Sequence, residues 1–233
     1  QPDQFAALPP EAVGGFQPDQ FAALPPEAVG GFRPDQFAEL PPEAIGGFKP
    51  EQFAELPKNV VGGFKPEQFA ALPSEAFQGF QPAQLKKLSK DLLANMQPDN
   101  FSEINPDAFS GFKPKKFNVL NDELIGQIDA DQFEQLTPKL IGKMKGDVIA
   151  GLQPKALEGM TEKQADKISV SFASELDPDQ IRSLPVTALV AMTTKRPAII
   201  GVLESELSLP QLEAVNNPNQ IADIASPPIS PLV

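Results

Sequence analysis

Apolar residues recur along this chain every few positions, in octads of the form x-Pro-x-x-apolar-x-x-apolar, and two octads make a repeating unit. Gln1 to Phe16 reads QPDQFAALPPEAVGGF, and Gln17 to Phe32 repeats it residue for residue. Close copies begin at Arg33, Lys49 and Lys65. Drifting copies begin at Gln81, Gln97, Lys113, Asp129, Lys145, Thr161 and Asp177. Twelve sixteen-residue units thus cover residues 1–192 without a gap. Four rows stay apolar throughout: those running through Phe5 and Phe21, Leu8 and Leu24, Val13 and Val29, and Phe16 and Phe32. Drift exchanges apolar for apolar in these rows and almost anything elsewhere.

The pattern predicts very short helices. Proline at the second octad position suits the first helical residue, whose N–H has no partner within the helix. An acid follows at once (Asp3, Glu11, Asp19, Glu27), where it complements the helix dipole. Phe5 and Leu8 are three residues apart and share a helix face. The next proline ends the turn. In the second octad Gly14-Gly15 ends it, and a left-handed glycine cap is the expectation there. Helices this short are marginal alone and persist only when stacking buries their apolar rows. The predicted fold is an all-α solenoid of sixteen-residue repeats, with two very short helices per coil. A β-helix is disfavoured by proline in nearly every octad. After Met192 the phase slips. Residues 193–225 read as atypical capping helices, and 226–233 as a proline-rich tail.

Composition then narrows the chemistry. The chain has no Cys, His, Trp or Tyr. Disulfides, thiol nucleophiles, zinc–thiolate sites and imidazole bases are excluded. Ser89-Lys90 and Gly142-Lys143 match no catalytic motif, so no enzyme, cofactor or metal is expected. The net charge of -12 argues against nucleic acid and anionic membrane surfaces. No apolar run approaches membrane-spanning length, so direct membrane insertion is not expected. The carboxylate row through Asp3, Asp19 and Asp35 could suggest a calcium ladder, but helix starts account for it and no dense ligand loop is present. Asn100-Phe101-Ser102 is a glycosylation sequon.

Charge is uneven. Residues 1–80 hold eleven acids and four bases; residues 81–160 hold eleven and ten. Lys86, Lys87, Lys90, Lys113, Lys115 and Lys116 make the middle locally basic. One implication is polar self-association, an acidic end meeting the basic flank of another molecule.

Solenoids carry atypical, polar units at their ends. The first unit here has apolar core rows instead. Its coil is expected to expose Phe5, Leu8, Val13 and Phe16, either to further repeats before Gln1 or to the end of another molecule. An open contact of that kind propagates head to tail.

The strings FAELPPEAIGGF and FAALPSEAFQGF resemble the Pro-Glu short-helix repeats of secreted and cell-surface superhelical proteins of the mesothelin and stereocilin type. The resemblance covers most of residues 1–192. It implies an extracellular adhesive or matrix role with no catalytic residues to carry over. The expected function is structural: an extracellular filament, coat or matrix built by end-to-end stacking with itself or with another surface or matrix protein. The alternative is an adhesion module that binds protein or glycan on its solenoid face.

Overall fold

The computed structural model describes residues 6–218. The chain forms two compact units, Gln1–Gln127 and Ile128–Val233. Among the described residues there is no strand, and helices follow one another in the order of the octads. Most run for only one turn or slightly more, as in Pro18–Ala22, Pro26–Val29, Pro34–Ala38 and Pro42–Ile45. Proline opens each of these four, and an acid lies in its first turn. At three helices without proline a side-chain cap stands in for it: Asp129, Thr161 and Ser169 each accept a hydrogen bond from a backbone N–H three residues on. The architecture is the expected all-α solenoid of short repeated helices.

Two details differ from the sequence reading. The first concerns glycine. No described residue has a positive φ, so the glycine pairs do not act as left-handed caps. Gly14 and Gly30 stay right-handed, at φ -65° and -59°. Their register serves close packing instead, as the next subsection sets out.

The second concerns pitch. Each sixteen-residue unit supplies two short helices, but successive units are not successive turns. In the first compact unit the helix Pro26–Val29 packs on Pro50–Glu55, and Pro50–Glu55 on Ser74–Gly79, three octads on each time. Hydrogen bonds join octads four apart, with sequence separations of 28 and 31 residues. One turn of the solenoid therefore takes about 28 residues, roughly three and a half octads. In the second compact unit the same steps recur: Pro154–Leu157 packs on Pro178–Ser183, and Glu162–Ala165 on Val186–Lys195. The sixteen-residue period records how the sequence repeats.

The apolar rows face inward. Phe21, Phe53, Phe101 and Phe133 are fully buried, as are Val13, Val29 and Ile45. Rings from successive turns meet: Phe21 and Phe48, Phe37 and Phe64, and Phe53 and Phe80 have centroids 4.5, 4.6 and 4.6 Å apart. These are favourable tilted aromatic pairs, each between residues 27 apart.

Beyond Met192 the octads give way to longer elements. Val186–Lys195 runs ten residues, and Leu209–Asn216 packs back against it. The predicted capping segment from Asn219 onward, and the tail 226–233, lie outside the described residues. No single described helix is long and apolar enough to cross a membrane.

Candidate self-association surface

The surface that one turn offers the next is built from three parts. The first is a buried glutamine at the fourth position of odd-numbered octads. In Gln52, Oε1 accepts the backbone N–H of Lys49 at 2.9 Å, which satisfies a free helix-start donor. Its Nε2 donates to the carbonyl oxygens of Phe21 and Leu24 at 3.0 and 2.8 Å, on the turn before. Gln68 repeats this with Phe37 and Leu40, Gln84 with Phe53 and Leu56, Gln164 with Phe133 and Leu136, and Gln180 with Ile149 and Leu152. Past the phase slip, Gln211 does so with Ile181, Arg182 and Leu184. Each clamp meets one carbonyl just past the end of a short helix, such as that of Leu24, and adds a second bond to another, such as that of Phe21, which already accepts the Leu24 N–H, so polar groups are satisfied between turns as well as within them. No buried side-chain nitrogen or oxygen lacks a partner among the described residues.

The second part is a glycine notch. A Cβ added at Gly47, Gly79, Gly111 or Gly159 would lie 2.3, 2.0, 2.1 or 2.0 Å from the carbonyl oxygen of Pro18, Pro50, Pro82 or Ala130. That is far inside van der Waals contact, so only glycine lets the turns approach so closely. The third part is the apolar edge made by the leucine and phenylalanine rows.

In the first turn the same three parts are more exposed than their counterparts further along. Gln20 keeps its bond from the Gln17 N–H, yet is exposed where Gln36, Gln52 and Gln68 are buried. Around Gly15 there is no atom within 4 Å, in contrast to Gly47. Leu8 and Phe16 are half-buried, while Leu40 and Phe32 are buried. Ala12 is exposed and Leu24 half-buried; sequence reasoning had singled out neither. Val13 does not belong to this edge. It is fully buried, because the helix Pro34–Ala38 of the following turn packs on the short helix Pro10–Val13 that carries it. Phe5 lies outside the described residues. Of the expected set, then, Leu8 and Phe16 are half-buried and lie on the first turn with the exposed Ala12 and Gln20 and the half-buried Leu24.

The glutamine row was missed because Gln is an ordinary exposed helix residue. Its signal was persistence: Gln4, Gln20, Gln36, Gln52, Gln68, Gln84, Gln132, Gln164 and Gln180 keep one register while their neighbours drift. Lysine takes this place once. Lys116 is half-buried, and its Nζ reaches the carbonyls of Lys86 and Leu88. It cannot accept from Lys113, and burial, then Lys113 and Lys87, hold its pKa below the usual lysine value. Other cations reach back in the same way: Arg33 to the Ala6 carbonyl, Lys65 to Ala38 and Arg196 to Asp166.

The described carboxylates of the predicted rows stand exposed at helix starts, Asp3 lying outside the described residues, and no group of three or more acids among the described residues is placed to hold a metal. An open groove of about 580 Å³ lies beside the Gln164 clamp, lined by Glu134, Thr137, Thr161, Glu162 and Lys163 among others. Asn100 sits inside the helix Pro98–Ser102, with the Ser102 hydroxyl donating to the Asp99 carbonyl at 2.8 Å. The chain is an octad-built all-α solenoid with a repeated, polar-clamped turn interface. It matches no protein-family model and no curated protein.

Proposed function

We propose that this is a structural, non-catalytic repeat protein that forms or decorates an extracellular or cell-surface filament, coat or matrix, its turns stacking end to end with those of another copy. One observation carries the reading. Within each compact unit successive turns meet through an apolar edge, joined at most repeats by a glutamine clamp and at Gly47, Gly79, Gly111 and Gly159 by a close notch, so one turn face is complementary to the opposite face of a like turn. The face holding Leu8, Ala12, Phe16, Gln20 and Leu24 is of that kind. Contact through such faces is heterologous and continues from copy to copy.

Sedimentation velocity over roughly 1 to 100 μM tests the proposal. The expected result is a weight-average coefficient that climbs with concentration, and a variant carrying Ala12→Arg and Gln20→Glu that melts like the wild type but no longer climbs. A wild-type protein that sediments as one monomeric species throughout overturns it.

A further inference from the structure

The glycine at the fourteenth unit position marks a second, lateral feature. At this register two successive turns bring their backbones together on the outer surface. A Cβ on Gly14 would lie 3.5 Å from the carbonyl oxygens of both Glu11 and Glu39; one on Gly30 would lie 3.4 and 3.3 Å from those of Glu27 and Glu55. The acids concerned are exposed. In the second compact unit the corresponding glycine is Gly142, whose added Cβ would meet the Pro138 carbonyl at 3.7 Å and Lys167 at 3.2 Å. Lys139 and Lys167 stand there at the registers that Glu11 and Glu39 hold in the first, and Lys195 stands at that of Glu67. The same register is acidic at Gly14 and Gly30, and basic at Gly142 as it already is at Gly62, which Lys58 and Lys87 flank.

The basic stretch is a cleft of about 320 Å³ lined by Pro138, Lys139, Gly142, Lys143, Lys167 and Arg196, with no carboxylate among them. Lys195 beside it is already paired with Asp166 at 2.7 Å, and the same Asp166 carbonyl anchors the Arg196 guanidinium at 2.8 Å. Four cations in one cleft are unusual on a chain with net charge -12.

We propose that this cleft docks the acidic groove of a second copy, so that Lys139, Lys143, Lys167 and Arg196 of one molecule face Glu11, Glu39 and Glu67 of another. The match in spacing favours a copy over a free polyanion. Lys139 and Lys167 are 28 residues apart, as are Glu11 and Glu39, so two opposite charges come into register on successive turns, with Lys143 and Arg196 beside them. A flexible polyanion has no such spacing and meets the acidic surface on either side. A single exposed ion pair contributes little, about 0–1 kcal/mol, and the docking rests on several acting together. Orientation and partner choice are what such complementarity chiefly sets. The contact is independent of end-to-end stacking: it uses other residues and responds oppositely to salt.

The test is sedimentation of the full chain at roughly 0.01 M and roughly 0.5 M salt, where the screening length falls from about 30 Å to a few ångströms. Association at low salt should weaken roughly ten-fold or more at high salt. The Lys139→Glu, Lys143→Glu, Lys167→Glu variant and the Glu11→Lys, Glu39→Lys, Glu67→Lys variant should each lose it alone. An equimolar mixture of the two should regain it. End-to-end stacking uses uncharged hydrogen bonds and apolar contact and persists at high salt, so the Ala12→Arg, Gln20→Glu variant removes that mode and leaves this one. No salt-sensitive association by the wild type, no recovery in the mixture, or a wild type that stays monomeric yet is retained by a sulfated polysaccharide through these lysines would each overturn the proposal.

Discussion

A single side chain can be shared by two turns only if both of its ends are used, and glutamine at the fourth octad position meets that condition. Gln84 takes the Gln81 N–H at its oxygen and gives its amide protons to Phe53 and Leu56, each at 2.8 Å. Gln84→Ala takes the clamp from the Leu56 carbonyl and one of two bonds from the Phe53 carbonyl, which keeps the Leu56 N–H, and the expected cost is about 1–3 kcal/mol in chemical denaturation. Gln20→Ala should cost no more than about 0.5 kcal/mol, because Gln20 is exposed. Lys116 offers the reverse experiment. It donates as glutamine does but cannot accept, and it brings a charge into a half-buried place. Lys116→Gln is expected to raise the melting temperature. It also has a pH signature. The folded pKa lies below the unfolded value of 10.5, so over the window beneath 10.5 the unfolded chain binds more protons at this site. Stability from Lys116 therefore rises with pH across that window. Melting curves at neutral and alkaline pH should show wild type gaining on the variant, and an equal gap at both would count against burial as the cause. The glutamine row stood in plain view in the sequence, but its role did not. Residue type gives capacity for hydrogen bonds, whereas the partner 28 residues away is a fact of three-dimensional pitch.

Among elements, the short helix and its junction decide how closely turns approach. Proline starts, first-turn acids and inward apolar rows were all legible, since each follows from local chemistry. The glycines were legible as punctuation and misread as left-handed caps. Their backbones are right-handed, and what they provide is the missing Cβ. The consequence is specific. Gly79→Ala would place a methyl 2.0 Å from the Pro50 oxygen, so the backbone must move and the expected loss is about 1–3 kcal/mol. Gly15→Ala meets nothing within 4 Å and should be neutral, or stabilising by about 0.4–1 kcal/mol through the unfolded chain. Paired denaturation curves decide between the two roles. If both glycines acted as caps, the two substitutions would cost alike.

For the molecule as a whole, the sequence period and the solenoid turn make different claims about which deletions are tolerated. The octad carries the phase of the apolar rows, so a deletion must remove whole octads. It must also remove an even number of them, so that a glutamine-bearing octad still lies over its own kind. Removing residues 49–64 satisfies both conditions. Gln68 then moves two octads back and meets the Phe21 and Leu24 carbonyls that Gln52 now holds. Removing residues 49–76 takes out 28, one full geometric turn, but cuts an octad in half and turns the following rows outward. The shorter deletion should therefore keep a cooperative melt near the wild-type temperature with unchanged helicity per residue. The longer one should lose helicity and protection from amide exchange in the octads around the join, as nearest-neighbour stacking requires. Circular dichroism and hydrogen exchange on the two chains measure this directly. If the 28-residue deletion proved the milder, the geometric turn rather than the octad would be the unit that the sequence must preserve.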